Sequence, residues 1–202
     1  MGLLAYLDVQ IGHPFGVRSF IAVALPESVV TGLVGVQRAI EAGAPGFYRW
    51  VGEENAHLTL YFLGESSEAE IEAVRSALLG VSFSPFSIQI EGLALIPEPT
   101  SPRIVVAGIG GDLSLLTRFQ QRISDTVFPL AAFKETRRYY PHVTLGRLKH
   151  GLPSNAKQLK RTLADVAAPL SPPFVVDSFE LIKSGVGPGG PRYETVHRFG
   201  LS

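Results

Sequence analysis

Two copies of the pattern His-apolar-Thr-apolar stand out in the sequence, because histidine can transfer protons and threonine can donate hydrogen bonds in reactions of a phosphate group. The first copy contains His57 and Thr59, and the second contains His142 and Thr144. Side chains in a β-strand alternate between faces, so the histidine and threonine of each copy project together while the aliphatic residues project the other way. Each motif therefore predicts an amphipathic strand that presents an imidazole and a hydroxyl on one face.

Two such strands facing each other suit displacement at phosphorus, which needs a base beside the attacking oxygen and an acid beside the leaving oxygen. An imidazole, with an unperturbed pKa of about 6.5, can take either role near neutral pH. Threonine hydroxyls can donate hydrogen bonds to the non-bridging oxygens, and a guanidinium such as Arg147 can offset their charge. Arg147 lies five residues after His142, an odd offset that turns it away on a regular strand. Its participation therefore requires a bulge or twist at Gly146.

Composition narrows the remaining chemistry. The chain has no cysteine and only five histidines, and a zinc site normally takes three or four ligands, so we expect neither a metal nor another cofactor. Eighteen Lys and Arg balance eighteen Asp and Glu, which argues against a protein that grips long duplexes nonspecifically. No apolar run approaches the roughly 20 residues of a membrane-spanning helix. Residues 1–17 lack the basic start of a signal peptide. These features favour a cytoplasmic protein that does not enter a membrane.

The elements that must position the motifs can be predicted from periodicity. Alternating apolar residues predict strands, and apolar residues repeating every three or four positions predict helices. Ser67 and Glu70 form a capping-box pattern, and Asp112 is a predicted N-cap. The predicted strands are 19–25, 57–63, 86–96, 103–109, 142–148, 174–183 and 193–200, and the predicted helices are 27–42, 68–79, 113–127 and 154–167.

The chain also repeats itself. The motifs, the strands before them and the strands after them recur in the same order at a spacing of about 85 residues, which predicts an internal duplication. If the halves pack about a pseudo-twofold axis, the two polar pairs face each other. We therefore expect residues 1–17 to be an extension and residues 18–202 a single domain with halves of about 18–101 and 102–202.

Beyond the paired motifs, several segments carry a family likeness: Arg18-Ser-Phe-Ile-Ala-Val-Ala-Leu-Pro; Trp50-Val and Glu54-Asn-Ala-His-Leu-Thr-Leu-Tyr-Phe-Leu-Gly-Glu; Pro102-Arg103; Tyr140-Pro-His-Val-Thr-Leu-Gly-Arg147; and Leu181-Ile-Lys-Ser184 with Gly190 and Tyr193. In these segments the chain resembles the two-histidine phosphoesterase superfamily, and within it the bacterial and archaeal 2′-5′ RNA ligase-like RNA 2′,3′-cyclic phosphodiesterases. The likeness runs from about residue 18 to the C-terminus. It departs from the family at Tyr139, where Phe is usual, and at Val106, where an aromatic residue is common.

The resemblance implies a bilobal α/β (α+β) fold, with two pseudo-twofold-related antiparallel-rich sheets, outer helices and a central cleft. It implies hydrolysis of a 2′,3′-cyclic phosphate at RNA ends or on nucleotides to a 2′-phosphate, without a cofactor. It implies His57 as the acid and His142 as the base. Phosphate contacts are then expected from Thr59, Thr144 and Arg147, and base or cleft contacts from Tyr140, Arg103 and Tyr139.

Charges near the motifs in the sequence point the same way as that assignment. Glu53, Glu54 and Glu65 near the first motif would favour a protonated His57. The cations between Lys134 and Lys149 would favour a neutral His142.

Several alternatives stay open. The motifs fit another cyclic phosphate equally well, such as that of a cyclised ADP-ribose derivative. Ring opening run in reverse forms a 2′-5′ linkage, so RNA joining is a second outcome of the same site, although water is the more abundant nucleophile. A module that binds nucleotides without turnover is the third alternative, but binding alone does not need a matched acid–base pair. The expected partners are RNA 3′ ends, short oligonucleotides or nucleotides bearing the cyclic phosphate, with no obligate protein partner.

Overall fold

The structure is a computed structural model that describes residues 16–97, 103–149, 156–166, 170–187 and 190–202. The predicted N-terminal extension lies outside the described residues except for its last two positions. The predicted boundary between the two halves of the chain, at residues 101 and 102, also lies outside them.

Helices occur at all four predicted places. Within the described ranges they are α1 (Glu27–Gly43), α2 (Glu68–Leu78), α3 (Leu113–Val127) and α4 (Ala156–Asp165). The capping box of α2 is confirmed, because Ser67 and Glu70 exchange side-chain to backbone hydrogen bonds. The predicted N-cap of α3 is also confirmed, because Asp112 stands at that position, although its side chain makes no capping hydrogen bond. Among these described helices, none is long and apolar enough to cross a membrane.

The strands agree with the prediction in most places and differ in two. Tyr48–Trp50 forms a short strand that three residues of pattern could not reveal. The predicted strand 174–183 divides at Asp177, because the residues on either side of it pair with different strands. The described strands are β1 (Val17–Ala24), β2 (Tyr48–Trp50), β3 (His57–Ser66), β4 (Phe86–Ile96), β5 (Ile104–Gly111), β6 (His142–Leu148), β7 (Phe174–Val176), β8 (Ser178–Gly187) and β9 (Gly190–Gly200).

The described strands form one curled antiparallel sheet in the order β7-β4-β5-β6-β3-β1-β8-β9, with β2 beside β6. The predicted α/β class is confirmed. The two predicted sheets are joined at the centre, where Leu58 of β3 pairs with Val143 of β6. Helices α1, α2 and α3 cover one face, where residues such as Leu33, Val74 and Phe119 share a continuous core with Leu58 and Val143. The histidines lie on the other face of β3 and β6.

Apart from β2, the sheet has two four-stranded halves, which we call the first lobe (β3-β1-β8-β9) and the second lobe (β6-β5-β4-β7). Strand β4 follows β3 along the chain yet pairs with β5 in the second lobe. Strand β8 comes late in the chain yet pairs with β1 in the first lobe. Each lobe is therefore completed by strands from the other half of the sequence: β8 and β9 in the first lobe, and β4 in the second.

Candidate active site

The two His-x-Thr motifs lie side by side at the junction of the lobes. Leu58 pairs with Val143 in an antiparallel ladder, so the flanking residues of one motif lie opposite those of the other. Because Leu58 and Val143 point into the core, the histidines and threonines on either side of them share the opposite face. The electrostatic influence of His142 on His57 agrees with this proximity. The structure therefore brings His57, Thr59, His142 and Thr144 together on one face of the sheet.

Both imidazole rings are oriented in the same way. Nδ1 of His57 lies 2.8 Å from the carbonyl oxygen of Asn55, and Nδ1 of His142 lies 2.7 Å from that of Tyr140. A carbonyl oxygen only accepts, so each Nδ1 carries the hydrogen and, in the neutral ring, each Nε2 carries a lone pair. Nε2 of His57 lies 3.0 Å from the hydroxyl of Thr59. Both rings are thus held with Nε2 as the reactive nitrogen.

His57 is enclosed by aromatic rings that the sequence analysis did not assign to the site. Its ring stacks on Phe20 with centroids 4.7 Å apart, and Tyr193 meets it edge-on at 5.4 Å. Phe20 belongs to a small apolar cluster on this face with Ala22 and Ile182. Phe20 and Tyr193 come from β1 and β9, far from the motif in sequence, so no local spacing could connect them to it.

His142 has a more open environment. Its ring lies 5.8 Å from that of Tyr140, whose side chain is 52% exposed. Tyr140 therefore lies next to the second motif and offers an exposed aromatic face beside His142.

The pKa of each histidine is lowered below its ordinary value. Burial is the main cause for both, and the hydrogen bond from Nδ1 to a carbonyl opposes it. The charge of His142 lowers the pKa of His57 further, and the charge of Arg147 does the same for His142. The expectation that neighbouring carboxylates favour a protonated His57 is wrong, because burial outweighs charges that are close only in sequence.

A bulge in β6 brings Arg147 to the histidine face. Thr144 pairs with Val106 and Gly146 pairs with Val105, so Leu145 has no partner on β5. The extra residue shifts the alternation by one position. Arg147 is exposed, and its charge lowers the pKa of both His142 and Tyr193. The predicted bulge is confirmed, one residue before Gly146.

Gly146 itself has a packing role. A Cβ atom at this position would lie 2.7 Å from Cε3 of Trp50, closer than real Cβ contacts. Trp50 is fixed on β2, where its indole nitrogen donates to Glu41 at 2.8 Å. Only glycine therefore fits between the bulge and Arg147 while this contact is kept.

Strand β3 has a bulge at the matching position of the first motif. Thr59 pairs with Ala22 and Tyr61 pairs with Ile21, so Leu60 has no partner on β1. The residue that returns to the histidine face is Phe62, which packs on the small apolar cluster. Arg18 supplies a cation here instead, with its guanidinium carbon 5.3 Å from the centroid of the Phe62 ring.

Two further residues were predicted to contact the cleft. Tyr139 is half-buried against the main core, and its hydroxyl donates to the carbonyl of Thr59 at 3.3 Å. Arg103 directly precedes β5 and is exposed. Ile104 pairs with Arg147 and shares its face, so strand alternation places Arg103 on the other face. Tyr139 therefore links the segment before the second motif to the first motif, and the cleft contact expected of Arg103 stays a prediction.

The donor set does not suit a metal ion. Among the described residues, no three His, Asp or Glu side chains come together as a group that could hold one. The junction offers two imidazoles and two hydroxyls, whereas a catalytic zinc site usually has three protein ligands. The chemistry available here is therefore proton transfer and hydrogen bonding.

A cavity of about 670 Å³ lies near the outer end of the first lobe. It shares Tyr193 with the surroundings of His57, but its walls contain no histidine. Lys183 lines the cavity, and its Nζ forms a salt bridge with Oε1 of Glu68 at 2.8 Å. This cavity lacks the paired imidazoles, so the junction of the lobes is the stronger candidate.

Comparison with known proteins agrees with the geometry. A family model described as LigT like Phosphoesterase matches residues 23–106 and 113–193. The RNA 2′,3′-cyclic phosphodiesterase of Aeropyrum pernix is 34% identical over 149 residues, covering 73% of this chain and 82% of the relative. The RNA 2′,3′-cyclic phosphodiesterase of Archaeoglobus fulgidus is 30% identical over 182 residues, covering 90% and 99%. The crystal structure of TT0787 of Thermus thermophilus has a TM-score of 0.74 at 27% identity, covering 91% of this chain and 97% of that one. The chain belongs to the LigT-like phosphoesterase family.

Proposed function

We propose that this chain hydrolyses the 2′,3′-cyclic phosphate of RNA ends or nucleotides to a 2′-phosphate, with the two histidines as acid and base and without a metal. The observation that carries the proposal is the matched pair of imidazoles at the lobe junction, each with Nδ1 on a backbone carbonyl, which leaves Nε2 as the nitrogen that can transfer a proton. Two relatives bear the name RNA 2′,3′-cyclic phosphodiesterase, which supports the substrate class.

The reaction needs one neutral and one protonated ring. Nε2 of neutral His142 takes a proton from water as the water oxygen forms a bond to phosphorus. The bond from phosphorus to the ribose 3′-oxygen breaks, and Nε2–H of His57 gives its proton to that oxygen. His142 ends protonated and His57 neutral, and exchange with solvent restores the starting state. The open surroundings of His142 favour access by water, and the contact between Nε2 of His57 and Thr59 gives an acid a resting partner.

Charge on the phosphate is balanced by groups on the same face. Arg147 projects there because of the bulge at Leu145, and a guanidinium can donate two parallel hydrogen bonds to phosphate oxygens. The hydroxyls of Thr59 and Thr144 supply further donors from the central strands. These groups bind the non-bridging oxygens, so the mechanism requires no metal.

The base of the terminal nucleotide has a candidate platform in Tyr140. Its ring is exposed and tilted by 37° against that of His142, and bases of any kind stack on aromatic faces. On the first lobe, the exposed Arg18 forms a cation–aromatic pair with the half-buried Phe62. The expected substrates are therefore short RNA 3′ ends or nucleotides. Attack by a ribose 5′-hydroxyl in place of water would form a 2′-5′ linkage by the same proton transfers.

A screen of nucleoside 2′,3′-cyclic phosphates, with the product isomer assigned by phosphorus NMR, tests the proposal. The expected product is the 2′-phosphate, and His57→Gln and His142→Gln are the matched variants that should each abolish it. Binding without turnover would instead identify a nucleotide-binding module. Turnover of a cyclised ADP-ribose phosphate but of no nucleoside 2′,3′-cyclic phosphate would move the activity to another substrate.

A further inference from the structure

Two glutamines contact the two bulges. Nε2 of Gln37 in α1 donates to the carbonyl oxygen of Leu145 at 2.9 Å. Nε2 of Gln120 in α3 donates to the carbonyl oxygen of Leu60 at 3.2 Å. Leu145 and Leu60 are the unpaired residues of the bulges that follow the two motifs. The same side-chain type, on equivalent helices, thus binds the same atom in each lobe.

Gln37 makes the firmer of these attachments. Its amide nitrogen also donates to the carbonyl of Val51 at 2.9 Å, just beyond β2. One amide nitrogen carries two hydrogens, so it serves both acceptors. The carbonyl of Leu145 accepts a second bond, from the backbone nitrogen of Val51 at 2.9 Å. Gln37 therefore ties α1, the end of β2 and the bulge of β6 together behind the histidine face.

The bulge determines where Arg147 points. A one-residue change in register moves every following side chain to the other face of a sheet. Without the extra residue at Leu145, Gly146 would occupy the histidine face and Arg147 would turn toward the core. Leu145 is 1% exposed, and removing the Gln37 amide takes one of the two donors from its buried carbonyl, leaving the bond from Val51 alone, which is unfavourable. Loss of the Gln37 amide therefore weakens the conformation that presents Arg147.

We propose that Gln37 is a positioning residue for the reaction: by holding the carbonyl of the bulged Leu145, it keeps the Arg147 guanidinium beside His142. Gln120 holds the equivalent bulge at Leu60, but the residue presented there is Phe62, which has no charge. The inference rests on the proposed function only for the role of Arg147 in phosphate binding, because the positioning itself is a matter of structure.

The first test needs no turnover. The pKa of His142 is measured by proton NMR in the full chain and in Arg147→Ala, Gln37→Met and Gln120→Met. Met keeps the length of the side chain and removes its hydrogen-bond donors. Arg147→Ala and Gln37→Met should both raise the pKa of His142, since each takes the positive charge away, whereas Gln120→Met should not. An unchanged pKa in Gln37→Met, or an equal rise in Gln120→Met, would overturn the proposal.

The second test is kinetic and uses a nucleoside 2′,3′-cyclic phosphate. Gln37→Met should raise KM by about tenfold, the loss of one charge-assisted contact, and change kcat by less than about twofold. Combined with Arg147→Ala, it should raise KM no further, because the two changes remove one interaction. Multiplying effects in the double variant would show that Gln37 acts through general packing, and the proposal would fail.

Two safeguards keep the result decisive. If Gln37→Met does not fold by circular dichroism, Gln37→Asn, whose amide is one methylene too short to reach both carbonyls, replaces it in both tests. If Arg147→Ala leaves KM unchanged, the proposed phosphate role of Arg147 is wrong, but the NMR comparison still decides whether Gln37 positions it.

Discussion

The division of labour between the histidines can be separated with a substrate whose leaving group needs no acid. A nitrophenyl phosphodiester releases a stable phenolate, while the ribose 3′-oxygen must be protonated as it leaves. His57→Ala should therefore lose activity toward the cyclic phosphate but keep most of it toward the aryl ester. His142→Ala should lose both, because both substrates need water to be activated.

The size of the loss follows from the surroundings of His57. Nδ1 is occupied by the Asn55 carbonyl, so alanine removes the one reactive nitrogen. Tyr193 is the nearest titratable ring, and burial raises its pKa, so it is a poor substitute acid. The full contribution of general acid catalysis, about 10²- to 10⁴-fold, should disappear for the cyclic phosphate. The loss toward the aryl ester should stay below about tenfold, since only positioning is affected.

The assay is steady-state kcat/KM for both substrates, with thermal melting to confirm that each variant is folded. Phe20→Leu is the control for packing, because it loosens the ring stacked on His57 and keeps the imidazole. It should slow both substrates by the same factor. Rescue of His142→Ala in place of His57→Ala would reverse the roles, and rescue of neither would refute the acid–base pair.

Four further outcomes are expected. Activity should survive EDTA, and loss of turnover in chelator that zinc or manganese restores would contradict the metal-free mechanism. Arg147→Ala should raise KM by about tenfold, from one hydrogen bond to a charged group at an exposed site, with kcat little changed; unaltered kinetics would make Arg147 an ordinary surface cation. The pH profile of kcat/KM should be a bell centred below about pH 6.5, because the pKa values of both histidines are lowered from that reference. As the pH falls below about 6.5, these histidines are protonated in the unfolded chain before they are protonated in the folded chain, so the free energy of unfolding should decrease in that window. The decrease should be less steep in His57→Gln. Urea titrations at several pH values measure the free energy of unfolding.

Local patterns in the sequence were enough to predict which candidate side chains share a face. The alternation around His57 and His142 fixes which side chains share a face, and the structure keeps that arrangement. The same rule of alternation predicts that Arg147 can reach the histidine face only if β6 has a bulge, and the bulge is present. These are short-range consequences of strand geometry, which a few residues determine.

Long-range packing could not be predicted in this way. Phe20 and Tyr193 reach His57 only because β1 and β9 lie on the same lobe, which no local period reveals. Tyr139 follows the family position of a cleft aromatic, yet its hydroxyl finds the Thr59 carbonyl and its ring joins the core. The strand predicted over 174–183 divides because its two ends pair in different lobes.

The exchange of strands between lobes has a consequence for synthesis on the ribosome. Phe20 of β1 pairs with Ile182 of β8, so the first lobe cannot close until almost the whole chain has been made. The early strands must wait with an unpaired edge, and such edges are prone to wrong pairing and aggregation. Sequence-distant pairings also slow folding. Truncation before β8 should therefore leave an insoluble product. The two halves produced together as separate chains should not, because each half supplies the strands that complete a lobe of the other.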